Sequence, residues 1–243
     1  MSKRHFTDYD QSGAPEYFDQ AHFGGSVGGF FRRAQEDLVI DMVRPSKATV
    51  LDVATGTGRL SIPLARAGAH VTAIDASTEM LRRAREKAGG IQNIEFQLAD
   101  AYHLPFPANK FEYVMSFRAL MHFDDWELVL AELCRVSGKY VIFDVPPAMG
   151  AASLERFFYK LRSMLGHNVK PYNTFWLSSL RRELLKNGFE VERVEKQFVI
   201  PFKLHRKINS IAFTRAAERS LGWIGLEKLF GAPLTIKAVR RSN

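Results

Sequence analysis

Cysteine is nearly absent from this chain of 243 residues, in which Cys134 is the only one. A lone thiol excludes internal disulfides and metal sites built from several cysteines, and such scarcity is typical of a reducing cytoplasm. The sequence also lacks an apolar run of about eighteen residues and a charged leader with an apolar stretch, so we expect neither a transmembrane helix nor a signal peptide. These absences predict a cytoplasmic protein in which Cys134 packs as a small apolar residue on a helix face.

Acidic residues are scarce in the second part of the chain. Residues 1–150 carry a formal charge of −3 and residues 151–243 carry +11, which together give the net charge of +8. The basic part should attract an anionic partner, and a carboxylated or phosphorylated small molecule, a membrane surface and RNA all qualify. A solvated basic face that only improves solubility would have the same composition, so charge alone leaves these interpretations open.

The segment from Val50 to Ile62 has the pattern of a buried strand, a glycine turn and the start of a helix. Gly56 and Gly58 in that turn allow backbone N–H groups to approach a ligand closely. Asp75 ends the next predicted strand, seventeen positions after Gly58, and its carboxylate suits the two hydroxyls of a ribose. The unit therefore predicts a site for an adenosine-like ligand.

Two further absences restrict that ligand. A dinucleotide-binding fingerprint needs a third glycine or an alanine at the place that Ser61 occupies. A triphosphate site needs a G-K-[ST] motif, and the chain has none. The ligand that remains is a nucleoside without phosphates.

The segment D-V-A-T-G-T-G at residues 52–58, followed by Asp75, resembles the class I S-adenosylmethionine-dependent methyltransferases, in particular the small-molecule group that includes the quinone C-methylases. The resemblance runs from about Tyr9 to about Arg240 and is carried mainly by the cofactor half. It implies an enzyme that uses S-adenosylmethionine, needs no metal, and methylates O or C of a small, partly apolar or anionic acceptor.

Alternating strand and helix patterns predict an α/β fold. Strands are expected at residues 49–53, 70–74, 93–98, 111–116 and 139–144. Helices are expected at 58–67, at 77–88 with Ser77 as the N-cap, and at about 124–136. Strands separated by single helices form a doubly wound, mostly parallel sheet with helices on both faces. Later segments predict a helix at 175–187, a strand at 189–200, mainly helix at 208–230 and a strand at 234–239. The resemblance implies a seven-stranded sheet whose last strand is antiparallel and lies beside the fifth.

The length suits one domain over residues 1–243. Its expected parts are an N-terminal cover and helix at 1–45, a cofactor-binding half at 46–145, and a lid helix and substrate half at 146–243.

The cover is expected to be mobile over the first 28 residues, which are polar and rich in glycine, and its helix to run from Phe30 to Met42. A lid helix is expected at residues 151–166, where Phe157 and Phe158 share an apolar stripe. Packing of that same helix on the sheet edge or on a membrane surface stays open.

The resemblance also implies a set of cofactor-binding residues. Asp52 organises the glycine turn, Asp75 holds the ribose, and Asp100 accepts a hydrogen bond from the adenine amino group. Ser116, Phe117 and Arg118 form the floor near the sulfonium, where an aromatic face suits a cationic sulfur. The complete set is Tyr17, Asp52, Ala54, Gly56, Gly58, Asp75, Ala76, Asp100, Ala101 and Phe117.

Ala54 departs from the family, which usually has glycine at this place. If the residue needs a positive φ, alanine costs on the order of 1 kcal/mol, and its methyl group reduces access to the backbone. The departure keeps a second class of function open, namely a methyltransferase-fold protein that binds the nucleoside without turnover.

His122 is the first candidate for a catalytic base, because imidazole titrates near neutrality and its loop adjoins the expected methyl position. His103 and Asp144 are alternatives, and Arg118 is a candidate for binding an acceptor carboxylate. A histidine merely packed between Met121 and its neighbour would give the same pattern.

The acceptor is restricted by the residues after the fourth strand. Enzymes that methylate exocyclic amino groups of nucleic-acid bases usually have an Asn/Asp-Pro-Pro-aromatic clamp there, and this chain has Ser-Phe-Arg-Ala at residues 116–119. Asp144 begins D-V-P-P, but that segment follows strand five and lacks the aromatic residue. The apolar lid and basic second half favour a lipid-like, quinol-like or anionic aromatic acceptor. An RNA methyltransferase, a non-catalytic nucleoside-binding module and an enzyme acting on a sugar or other polar metabolite remain alternatives, RNA through the aromatic and basic residues at 202–206.

Overall fold

The computed structural model describes residues 24–149 and 172–241. Its seven strands are β1 (Thr49–Val53), β2 (His70–Asp75), β3 (Ile94–Leu98), β4 (Phe111–Ser116), β5 (Ser137–Val145), β6 (Phe189–Phe198) and β7 (Ala232–Arg240). The α-helices within the described ranges are α1 (Gly25–Val43), α2 (Ser61–Arg66), α3 (Thr78–Ala88), α4 (Trp126–Val136), α5 (Leu177–Lys186), α6 (Phe202–Ile208), α7 (Ile211–Trp223) and α8 (Leu226–Phe230). A short 3₁₀ helix covers Leu120–His122.

The strands form one sheet in the order β3-β2-β1-β4-β5-β7-β6. Strands β1 to β5 pair in parallel, whereas β7 pairs antiparallel with both β5 and β6. The predicted mostly parallel, seven-stranded sheet with its last strand antiparallel beside the fifth is confirmed. Because β1 lies in the middle of the parallel part, the turn that follows it is central at the carboxyl edge of the sheet, where ligands bind in this kind of fold.

Helices cover both faces of the sheet. Successive side chains of a strand point to opposite faces, and apolar residues at neighbouring positions of β1 are buried on each face. Leu51 of β1 packs in a core on the face that α4 and α5 cover, whereas Val50 packs in a second core with α1 and α2. Cys134 lies buried in the first core, and burial raises the pKa of its thiol to about 12. In the part of the chain that the structure describes, no helix has the length and apolar character needed to cross a membrane.

One helix start agrees with its expected capping residue, a second helix begins later than expected, and a third was not expected. Ser77 caps α3 as predicted, accepting a hydrogen bond from the Met80 N–H over 3.2 Å. The helix expected from residue 58 begins only at Ser61, because Gly58 has a left-handed φ of 77°. The helix α6 was not predicted, since its seven residues are mainly basic and too short to show a period.

The N-terminal helix is longer than predicted. It begins at Gly25 rather than Phe30, so Val27 and Gly28, assigned to a mobile cover, are buried helical residues. The glycine pairs suggested a loop, but Val27 and Phe31 continue the i, i+4 spacing of the buried face, and packing outweighs the low helix propensity of glycine. Tyr17 and the lid helix expected at 151–166 lie outside the described residues.

Candidate cofactor and acceptor site

A cavity of about 610 Å³ opens at the carboxyl edge of the sheet, beyond the ends of β1, β2, β4 and β5. Its size is in the range of small-molecule sites. The residues assigned from the sequence that line it are Asp52, Ala54, Gly56, Asp75, Ala76, Ala101, Phe117, Arg118, His122 and Asp144. Four other assigned residues, Gly58, Asp100, His103 and Ser116, are not part of its lining. One cavity thus brings together most of the residues proposed for the cofactor and for the acceptor.

The turn after β1 is held from inside by Asp52. Its Oδ2 accepts a hydrogen bond from Thr55 Oγ1 over 2.8 Å and another from the Ser61 hydroxyl at the start of α2. Burial raises the pKa of Asp52 to about 6, while the two hydroxyl donors oppose that shift. Ser61 therefore ties the first turn of α2 to the end of β1, a role that the sequence did not reveal because the residue was interpreted only as a missing glycine.

Three residues of the turn have left-handed backbone, with φ of 60° at Ala54, 58° at Gly56 and 77° at Gly58. The condition attached to Ala54 from the sequence is therefore met. Gly58 serves packing rather than ligand access, because a Cβ there would lie 2.8 Å from Ile62 Cδ1 of α2. A Cβ at Gly56 would meet no atom within 4 Å, so only its φ favours glycine.

Asp75 closes the turn from the neighbouring strand. Its Oδ2 accepts the Gly56 N–H over 2.8 Å and its Oδ1 accepts the Ser77 N–H over 2.9 Å. Burial raises the pKa of this carboxyl, and the backbone donors partly compensate. The Ala76 N–H is a third backbone donor to this carboxylate. Because a carboxylate has about four lone-pair sites, Asp75 can hold the glycine turn in place and still accept a hydroxyl group from a ligand in the cavity.

Asp100 follows β3 and is not among the residues that line the cavity. It is half exposed, its Oδ1 accepts the Tyr102 N–H over 2.9 Å, and its Oδ2 lies 3.9 Å from Nδ1 of His103. Ala99, Ala101 and Tyr102 line the cavity at this strand end instead. The carboxylate therefore shapes the turn that presents its neighbours to the cavity.

A buried polar cluster lies beyond β4 and β5. Asp144 accepts hydrogen bonds from Gln35 Nε2 of α1, over 2.9 Å, and from the Arg118 N–H. Burial raises the pKa of Asp144, whereas the charges of Arg118 and Arg59 act in the opposite direction. The pKa of Arg59 falls to about 10 through burial and the proximity of Arg118. Sequence reasoning missed Gln35 and Arg59, although a glutamine on the buried face of α1 is a visible signal.

Ser116 does not face the cavity, because its hydroxyl donates to the Val53 carbonyl over 3.0 Å and ties β4 to β1. The next residue, Phe117, is buried and lines the cavity. The floor expected here therefore consists of Phe117 and Arg118.

His122 ends the 3₁₀ helix and lines the cavity between Met121 and Phe123. The backbone of this loop is fixed by Asn173, whose N–H donates to the Met121 carbonyl and whose Nδ2 donates to the Phe123 carbonyl, each over 2.9 Å. Tyr172 lines the same cavity. The segment after residue 171 thus positions the loop that carries the candidate base.

Aromatic residues form one wall of the cavity. Phe31 of α1 contacts Phe198 and Phe202, with ring centroids 4.2 and 5.0 Å apart respectively, and all three line the cavity. Behind the wall, the buried His205 has its Nε2 2.7 Å from Glu218 Oε1. Glu218 also accepts the N–H groups of the two residues after β6, at 199 and 200, over 2.9 and 3.0 Å.

Among residues 24–149 and 172–241, no group of three or more His, Cys, Asp or Glu side chains is arranged to hold a metal ion. The ionisable groups that line the cavity include four aspartates, one imidazole and two guanidinium groups, set in a largely apolar lining. Carboxylates suit ribose hydroxyls, and aromatic and apolar walls exclude water from an acceptor.

Comparisons with known proteins agree with this geometry. Residues 50–139 match the family described as a methyltransferase domain. The chain is 38% identical to a demethylmenaquinone methyltransferase of Thermus thermophilus, over 48% of this chain and 54% of the relative. It is 41% identical to the ubiquinone/menaquinone biosynthesis C-methyltransferase UbiE of Desulfotalea psychrophila, over 42% of this chain and 44% of the relative. The chain spans about half the length of the curated relatives it matches.

The fold has solved counterparts of low sequence identity. Magnesium protoporphyrin IX methyltransferase from Synechocystis, solved with S-adenosylhomocysteine, superposes with a TM-score of 0.70 at 19% identity, covering 96% of this chain and 97% of that one. The [4+2]-cyclase SpnF superposes with a TM-score of 0.62 at 19% identity, covering 86% of this chain and 81% of that one.

The fold is that of the class I methyltransferases, and residues 50–139 match the methyltransferase-domain family. Within that class the chain resembles the quinone C-methylases, as predicted from the turn and Asp75.

Proposed function

We propose that this chain transfers a methyl group from S-adenosylmethionine to O or C of a small, partly apolar acceptor bound in the cavity. The observation that carries the proposal is that a single cavity contains both the glycine turn with Asp75 and the loop with His122. Methyl transfer is an in-line displacement at a sulfonium, so the protein has to align two ligands and exclude water. A shared, mostly apolar cavity supports both tasks.

The cofactor occupies the turn side in this proposal. Asp75 accepts a ribose hydroxyl beside the backbone N–H groups that it already holds, and Ala76 packs beside the sugar. The adenine lies against Ala101 and its neighbours, with Asp100 shaping that turn. Gly58 and Asp52 act indirectly, by setting the conformation of the turn.

The acceptor occupies the side of His122 and the aromatic wall. His122 is the group best placed to remove a proton from the acceptor, because Asp144 already accepts bonds from Gln35 and Arg118, and His103 lies outside the lining. Phe117 provides an aromatic face for the sulfonium. The apolar wall supports a quinol-like or lipid-like acceptor, in line with the quinone substrates in the names of the relatives, and Arg118 suits an acidic group on it.

Asp75→Asn tests the cofactor site. The amide retains one acceptor oxygen but loses the charge and one acceptor, so the affinity for S-adenosylhomocysteine should fall at least tenfold by calorimetry. Asp100→Asn is the matched control, because its carboxylate lies outside the lining and should change the affinity less than threefold. Equal losses in both variants would restore the adenine role expected for Asp100, and unchanged affinity in Asp75→Asn would remove Asp75 from the site.

The acceptor is identified by incubating cell extract with methyl-labelled cofactor and analysing the labelled products by mass spectrometry. A labelled small apolar product supports the proposal, whereas labelled RNA would replace it with the alternative that the basic second part leaves open. Cofactor binding with no labelled product would favour a non-catalytic module. A specific observation favours that second candidate, namely the methyl group of Ala54 in a left-handed turn position that lines the cavity.

A cytoplasmic location and the division into a cover at 1–45, a cofactor half at 46–145 and an acceptor half at 146–243 stay predictions. The contacts of Phe31 and Gln35 with the cavity indicate that the helix of the first part contributes to the site directly.

A further inference from the structure

The three helices between β6 and β7 begin and end at the cavity. The chain leaves the wall at Phe202, the first residue of α6, and returns to the lining at Ala232 and Pro233 after α8. The segment that carries these helices is therefore anchored at both ends to the wall of the cavity.

The inner sides of α6 and α7 meet in a polar contact. His205 of α6 is fully buried, its Nδ1 lies 3.0 Å from Thr214 Oγ1 and its Nε2 2.7 Å from Glu218 of α7. Since these residues fix which sides face inward, the opposite sides of both helices face away from the protein. The one glutamate of α7 is thereby turned inward.

The outward side is unusually apolar for a protein surface. Trp223 is 90% exposed and Leu229 is 62% exposed, and the exposed large apolar residues of this region are Leu204, Ile208, Phe213, Trp223, Ile224, Leu229 and Phe230. Isolated exposed residues need no explanation, but such a group within 27 residues is typical of an interaction site.

The same helices are also basic. Residues 202–230 contain six Lys or Arg and two Glu, and the exposed cations include Arg206, Lys207, Arg215 and Arg219. Lysine and arginine beside tryptophan, phenylalanine and leucine are the composition of helices that lie in the headgroup region of a bilayer. We name these exposed apolar and basic residues the 202–230 surface.

We propose that the 202–230 surface docks this protein onto an anionic lipid bilayer. Its cations attract the phosphate groups, and its apolar side chains, with Trp223 foremost, enter the interface. A bilayer fits better than RNA, because aliphatic side chains such as Ile208 and Leu229 neither stack on bases nor contact phosphates. Docking requires no cofactor, so the inference goes beyond the proposed methyl transfer, and it would place the cavity next to lipid-like molecules.

Vesicle co-sedimentation of the purified full chain tests the proposal. Binding is expected to vesicles of phosphatidylcholine with about one third phosphatidylglycerol, not to phosphatidylcholine alone, and to weaken at about 0.5 M salt. Leu229→Ser should weaken binding about tenfold, because an inserted leucine contributes at least about 1.4 kcal/mol. Leu128→Ser is the matched control, since Leu128 is 59% exposed on α4, outside this surface, and should leave binding unchanged. Arg219→Gln should weaken binding about fivefold and Arg66→Gln, an exposed cation of α2, should not.

Four results would overturn the proposal: no binding to either vesicle, equal losses for Leu229→Ser and Leu128→Ser, salt-sensitive retention on RNA in place of vesicles, or a dimer in sedimentation velocity that Leu229→Ser dissociates. Calorimetry with S-adenosylhomocysteine separates this test from that of the enzymatic activity. All four variants should bind it with unchanged affinity, so failure to dock would not affect the assignment of the cofactor site, and loss of cofactor binding would not affect docking.

Discussion

Replacing Ala54 by glycine should stabilise the protein, although the same change in an ordinary helix destabilises. Ala54 has a φ of 60°, where an L-residue pays about 1–2 kcal/mol for the contact of its Cβ with the carbonyl that follows. Glycine escapes that cost but gives up about 0.5–1 kcal/mol of additional chain entropy on folding. The difference favours glycine by about 0.5–1 kcal/mol, which corresponds to a rise in Tm of about 1–4 °C for a chain of this length.

Ala216→Gly supplies the control with the same chemical change. Ala216 is exposed on α7, so glycine there should cost about 1 kcal/mol of helix stability. Urea denaturation of both variants, read by far-ultraviolet circular dichroism, should give changes of opposite sign with unchanged slopes. The reasoning fails if Ala54→Gly lowers the free energy of unfolding as much as Ala216→Gly does. The turn would then hold alanine without strain.

Three further changes probe the site and its supports. His122→Ala should lower kcat by about a hundredfold or more with little change in the affinity for S-adenosylhomocysteine, because it removes only a proton acceptor. The control His103→Ala changes an exposed histidine and should leave turnover unchanged. Turnover of His122→Ala within twofold of wild type would show that no base is needed at this position. The pKa of Asp52 is about 6 in the folded protein against the ordinary value of 3.8, so the wild type loses stability as the pH rises from about 4 to about 7. Asp52→Asn cannot ionise, so its free energy of unfolding should rise relative to that of the wild type over this range, by up to about 3 kcal/mol. A difference that stays constant across that range, by urea titration at each pH, would contradict the assignment. Glu218→Ala should lower the free energy of unfolding by about 2–4 kcal/mol, because it leaves the two N–H groups at 199 and 200 without their acceptor. It should also raise KM for the acceptor more than it changes the affinity for the cofactor. The control Glu190→Ala changes an exposed residue of β6 and should have neither effect.

The features that could be predicted from the sequence are those that depend on residues close together in the chain. The apolar runs of β1 and β2, the glycines between them and the cap at Ser77 all act within about one turn or one strand of their own position, so local pattern was sufficient. The strand order of the last two strands came from the family resemblance, because β6 and β7 pair across a 33-residue span that no local pattern describes.

The polar support of the acceptor side could not be predicted in that way. Gln35 and Asp144 are 109 positions apart in the sequence, and their contact exists only because α1 packs beside the end of β5. His205 and Glu218 are closer in sequence, but their burial depends on how α6 and α7 fold against the wall of Phe31. A buried polar residue is recognised from sequence only when it interrupts an apolar stripe, as Gln35 does and Glu218 does not.

Two carboxylates at the same edge of the sheet, those of Asp52 and Asp75, have different roles in the site. Asp52 accepts hydroxyl groups from Thr55 and Ser61 and is buried beneath the turn, so it determines the shape of the turn. Asp75 accepts backbone N–H groups from the turn on one side and borders the cavity on the other, so it can transmit that shape to a ligand. Because the turn depends on both, loss of Asp52 should be measured mainly in the free energy of unfolding and its pH dependence. Loss of the charge of Asp75 should be measured mainly in the affinity for the adenosyl group.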